Sequence, residues 1–116
     1  MYNVREMLNS FVSGLGTLGE TNGDEVSAFM GLLSAAYEPK AMDLKTKELI
    51  SVGIACYSRC EYCIVYHCYK ALEAGASREE INEASMVSVA FGGGPSIAYS
   101  VTLLKESIDE FEKDFD

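Results

Sequence analysis

Residues 44–75 read LKTKELISVGIACYSRCEYCIVYHCYKALEAG, and the fold is decided there. From Leu49 to Cys56 the residues are apolar almost all round a helix, and nothing alternates with the two-residue period of a half-buried strand. A helix of that kind is expected at the centre of a core, with Glu48 near its entrance, where a buried carboxylate needs a partner. Tyr57-Ser58-Arg59 interrupts it, and a second helix starts there and runs to Gly75, a residue suited to ending one. Cys60 and Cys63 then lie in its first turns. His67, the single histidine of the chain, stands one turn beyond Cys63, where its ring can reach that sulfur.

The same helical period extends outward in both directions. Towards the N-terminus, Val4, Met7, Leu8, Phe11, Val12 and Leu15 trace one stripe, loosened at its far end by Gly14, Gly16 and Gly19. Thr21 or Asn22 caps a second helix whose expected buried face is Val26, Phe29, Met30, Leu33 and Tyr37, ended by Pro39; Asp43 caps the third. Towards the C-terminus, Ser77 with Glu80 forms a capping-box pattern for a helix over Ile81 to Phe91. Gly92-Gly93-Gly94-Pro95 lacks the order of a phosphate-cradling loop and has no strand before it, so it reads as a turn. Ile97, Val101, Leu104, Ile108, Phe111 and Phe115 then step by fours and threes along a seam, part of which is suited to facing another subunit. The expectation is one all-α domain of six helices over residues 1–116, without repeats or linkers, fraying at Lys113 to Asp116.

Charge narrows the partners. A formal charge of −9 repels a phosphate backbone and an anionic membrane surface, so neither nucleic acid nor membrane is an expected partner. The opening MYNVREMLNSF carries charges in its first turns, and no apolar run reaches bilayer length. The expected location is the cytoplasm. In that reducing compartment, four cysteines between positions 56 and 68 point to redox catalysis or metal binding rather than to a structural disulfide framework.

A free thiol is only a few per cent thiolate at neutral pH, and the thiolate is the nucleophile. A helix N-terminus lowers a thiol pKa by at most roughly 0.7 of a unit, which is insufficient. His67 can take the proton of Cys63 and hold an ion pair with the sulfur, while Glu48 orients the ring or passes the proton on. Cys63 is thus the expected nucleophile. Cys60, three residues earlier, is placed to form a bridge that closes readily and stays reducible. Cys56 ends an apolar run, and Cys68 points about 100° round the helix from His67; both read as packing residues. The alternative from another class is a zinc-binding interaction module. Cys56, Cys60, Cys63 and His67 would share one face of an unbroken helix, although zinc sites usually draw ligands from two elements.

Glu48, eleven residues, then Cys60-x-x-Cys63-x-x-x-His67 resembles the motif of the alkylhydroperoxidase D-like branch of the carboxymuconolactone decarboxylase family. The resemblance runs from about Asp43 through Gly92-Gly93-Gly94-Pro95 into the last helix, and includes DLKTKELI before the motif and AGASREEINEA after it. It implies an all-α domain assembling as a homotrimer or homohexamer, acting without a bound cofactor. It also implies that Cys63 attacks a peroxide or disulfide, that Cys60 resolves the product, and that Glu48 and His67 relay protons. The electron donor would be a lipoyl or thioredoxin-like dithiol. The expected function is a thiol-disulfide oxidoreductase with alkyl hydroperoxide reductase activity; some peroxidases of the branch carry a second histidine between the cysteines, where this chain has Tyr62, so the alternative is a disulfide reductase with little peroxide turnover. The family's decarboxylases do not depend on a cysteine pair, so its presence turns the expectation away from lactone decarboxylation.

Overall fold

The computed structural model describes residues 2–116 as helices and short connections, with no strand among them. In chain order these are α1 (Val4–Thr21), α2 (Gly23–Tyr37), α3 (Leu44–Ser58), α4 (Glu61–Glu73) and α5 (Arg78–Gly92). A C-terminal rod follows, made of α6 (Gly94–Tyr99), a π-helical turn (Ser100–Leu104), α7 (Lys105–Phe111) and a closing 3₁₀ turn (Glu112–Asp114). Counting the rod as one, this is the six-helix all-α arrangement read from the sequence.

Local chemistry sets most boundaries. Asn3 and Asp43 accept the amides of Glu6 and Thr46 at the heads of α1 and α3, and Ser77 with Glu80 makes the reciprocal capping box of α5. The α4 end is a left-handed cap: Gly75 sits at φ +96°, with its own N–H on the Leu72 carbonyl and the Ala76 N–H on that of Ala71. Gly93, at φ +63°, makes the reversal between α5 and α6, so the glycine run is a turn. Between α3 and α4 the reversal falls to Arg59, the one non-glycine residue at positive φ among those described.

The core is built around α4. Its Ile64, Val65, Cys68, Ala71 and Leu72 meet Val52, Ala55 and Cys56 of α3, Val4 and Leu8 of α1, Ile81 of α5, and Leu103, Leu104, Ile108 and Phe111 of the rod. Each fully buried aliphatic or aromatic side chain contributes roughly 1.5–3 kcal/mol relative to exposure.

Four sequence expectations need correction. α3 is not enclosed all round: Val52, Ala55 and Cys56 are buried, but Ile50, Ile54 and Tyr57 stay 46%, 61% and 54% exposed because only one face meets neighbouring helices. α2 has no buried residue at all; Phe29 and Met30, expected inside, are half-exposed, since α2 packs on α1 and touches α3 only at its end. The seam of the rod is split. Leu104, Ile108 and Phe111 are fully buried while Ile97 and Val101 are not, because the π turn rotates the segment before it out of register with the segment after it; Phe115, beyond the closing 3₁₀ turn, is 39% exposed. Finally, the C-terminal turn, expected to be loose, carries specific contacts. Arg5 grips Asp114 with both terminal nitrogens at 2.7 and 3.0 Å, and Phe115 sets its ring against Tyr69 at 5.2 Å.

Candidate active site

The α3–α4 reversal is what assembles the site. Cys60 is the residue just before α4, in extended conformation (φ −89°, ψ 104°), and its Sγ accepts the Cys63 amide at 3.3 Å. An extended cap folds its side chain back over the first turn, as a capping serine does. Two cysteines three apart inside a helix point along it with their Cβ atoms somewhat too far apart to join. With Cys60 outside the helix the Cα atoms stand 5.2 Å apart and the sulfurs are joined as a disulfide. Both cysteines are partly exposed.

One turn further along α4, His67 Nδ1 lies 2.8 Å from Glu48 Oε1 on α3. Glu48 is only 3% exposed, so this is the partner that its burial demanded. A carboxylate can only accept, which selects the tautomer with the proton on Nδ1 and leaves Nε2 as the basic nitrogen. The four residues thus form two joined pairs, Cys60 with Cys63 by the disulfide and Glu48 with His67 by the hydrogen bond, and α4 carries Cys63 and His67 four residues apart.

The sequence reading missed the aromatic walls. Tyr37, the last residue of α2, stacks on the His67 ring with centroids 5.8 Å apart and planes at 19°, and Tyr66 meets it edge-on at 5.1 Å and 86°. The Tyr37 hydroxyl bonds to Ser51 Oγ on α3. Desolvation first, then the nearby Glu48 charge, push the Tyr37 phenol up from its usual value, and the Ser51 bond opposes them. Tyr66 adjoins His67 in sequence; for Tyr37 the one available signal was its place immediately before the helix-ending Glu38-Pro39.

Cys56 and Cys68 are fully buried and free, and burial pushes both thiols up, which makes them poor nucleophiles. The donors of the zinc alternative are therefore dispersed: Cys56 lies in the core while Cys60 and Cys63 are bonded to each other. Among the described residues no three His, Cys, Asp or Glu side chains are grouped to hold a metal ion. Nor is any described helix long and apolar enough to cross a membrane. Tyr62, between the two cysteines, is 48% exposed and stands 6.4 Å from the Phe11 ring, at the end of an open apolar groove of about 250 Å³ along Gly14, Leu15 and Leu18.

Comparison with known proteins gives the family and the fold. The model of the carboxymuconolactone decarboxylase family matches residues 24–106, most of the chain and the whole site. The chain belongs to the carboxymuconolactone decarboxylase family. Carboxymuconolactone decarboxylase family relatives cover nearly all of the described fold. A structure from Legionella pneumophila superposes with a TM-score of 0.89 at 31% identity, covering 94% of this chain and 96% of that one. One from Thermotoga maritima, for which involvement in an antioxidative response has been suggested, gives a TM-score of 0.72 at 35% identity over 90% and 94% of the two chains. A protein of unassigned function from Cupriavidus necator is 34% identical over 85 residues, 73% of this chain and 75% of its own length.

Proposed function

We propose that the protein is a thiol-disulfide oxidoreductase whose reacting group is the Cys60–Cys63 pair. The observation that carries this reading is the disulfide at the head of α4 with the His67–Glu48 pair one turn below it. In the reduced protein, His67 Nε2 takes the Cys63 proton, and the imidazolium, held by Glu48, stabilises the thiolate. That thiolate attacks one sulfur of a disulfide, forming a mixed disulfide and expelling the other sulfur as a thiolate, which the imidazolium protonates. Cys60 then attacks Cys63 Sγ, closes the internal bridge and releases the second thiol. An incoming dithiol, of lipoyl or thioredoxin type, returns two electrons and two protons.

An alkyl hydroperoxide enters the same cycle. Cys63 attacks the terminal oxygen, the alkoxide leaves and takes a proton to become the alcohol, and Cys60 displaces water from the sulfenic acid. The antioxidative role suggested for the Thermotoga relative supports this branch. Tyr62, in place of a second histidine between the cysteines, supports disulfide reduction as the main activity, with little peroxide turnover.

The exposed apolar residues support self-association as a homotrimer or homohexamer. Ile54, Tyr57, Val87 and Phe91 line an open groove between α3 and α5, and Phe91 is 81% exposed. The proposed compartment is the cytoplasm, where dithiol donors keep such a pair cycling.

The test separates the two cysteines. Cys63→Ser should lose all turnover of a small disulfide or peroxide. Cys60→Ser should stall with Cys63 as a mixed disulfide or sulfenic acid, detected by mass. Turnover by Cys63→Ser equal to that of the parent would refute the assignment.

A further inference from the structure

Two side chains reach the same face of α3, one turn apart. Glu48 holds His67 Nδ1, and Ser51, three residues on, holds the Tyr37 hydroxyl. Ser51 already spends its only hydroxyl proton on the Lys47 carbonyl at 2.9 Å, so it accepts from Tyr37, which donates. The two bonds are rungs on one helix face, and the rings they carry lie nearly parallel, 19° apart with centroids at 5.8 Å. A single hydrogen bond at Nδ1 fixes where the imidazole starts but leaves it free to turn about the bond axis. Tyr37 stacked on it and Tyr66 set at right angles to it remove that freedom.

We infer that Tyr37 is the positioning residue of His67: its ring, anchored through Ser51, sets the imidazole plane so that Nε2 addresses the Cys63 sulfur one turn back. The inference rests on the thiol chemistry proposed above. It assigns the end of α2, otherwise a helix without buried residues, a part in the site. The phenol face also favours the ring in its charged form, the form His67 takes when Cys63 is ionised. Apart from Tyr37, the ring meets Glu48 of α3 and Tyr66 of α4, and the titratable residues one turn either side of it on α4 are Cys63 and Lys70. Tyr66 meets the ring at right angles, so of the two aromatic neighbours only Tyr37 lies parallel to it.

The test follows alkylation of Cys63 by iodoacetamide against pH, in the reduced protein carrying Cys60→Ser. Tyr37→Leu is expected to raise the midpoint of thiolate formation by about half a pH unit, the scale of one ring-face interaction with a cation. Tyr37→Phe, which keeps the ring but loses the bond to Ser51 Oγ, is expected to shift the midpoint in the same direction by clearly less. An unchanged midpoint in Tyr37→Leu, or equal shifts in both variants, overturns the inference. A second measurement needs no substitution: His67 is the sole histidine, so its ring protons are assignable at once, and the reduced protein should show nuclear Overhauser contacts from them to the Tyr37 ring. Their absence also overturns it. Failure of the thiol reading would instead appear as retained turnover in Cys63→Ser, whatever Tyr37 does.

Discussion

α4 and α2 are similar in length and both rich in apolar residues, yet their surroundings are opposite. α4 is packed by α1, α3 and the C-terminal rod, with Ile64 and Cys68 fully buried; α2 lies on α1 with Phe29, Met30 and Leu32 at 51%, 40% and 64% exposure. The contrast shows that an apolar stripe records what a helix requires, not what one copy of the chain supplies. It also separates two kinds of stability. The site helices are held by burial, whereas α2 is held at its ends, by the Asn22–Glu25 contact at one and by Tyr37 and the Lys47 ammonium on the Ala36 and Glu38 carbonyls at the other.

That comparison breaks most visibly in the core. Phe111→Ala, beneath Arg5 and Tyr69, should cost about 3–5 kcal/mol in urea unfolding, and a loss below 1 would mean that the rod is not packed as described. Next in size, Glu48→Gln keeps the shape but removes the charge that holds the imidazolium. Turnover should fall by about 10²-fold, with a smaller loss of stability, and an unaltered rate would confine Glu48 to structure. Leu32→Ala on α2 should change monomer stability by no more than about 0.5 kcal/mol. A larger loss that depends on protein concentration would show that this face is covered by another copy.

The smallest effect concerns the clamp between the termini. The hydrogen bond from Arg5 holds the Asp114 carboxyl below the usual range, so its stabilisation is present above the ordinary carboxylate pKa and is lost as pH falls through the depressed folded value. The Tm gap between the parent and Asp114→Asn should therefore be open near neutrality and close below about pH 4. A gap that widens in acid would contradict the clamp.

Much of the site was legible because it is local. The capping box at Ser77, the stop at Pro39, the break at Tyr57-Ser58-Arg59 and the register of Cys63 with His67 each depend on residues within one helical turn. The reading failed where the answer lay in distant chain. Lys113 to Asp116 looked free because Arg5, which holds Asp114, is 109 positions away. Tyr37 was assigned to an apolar face because nothing in its neighbourhood announces a ring 30 residues later.

By itself the sequence determined that the chain is helical, closely where most helices begin and end, and that Cys63 and His67 lie one turn apart on one helix, because helical geometry converts spacing into direction; Cys60, expected in that helix, stands just before it. Tertiary structure alone decided which apolar faces are covered and that Tyr37 closes over His67. Those outcomes depend on how far each helix is rotated against the next, a quantity set by side-chain packing between elements and by no spacing within them.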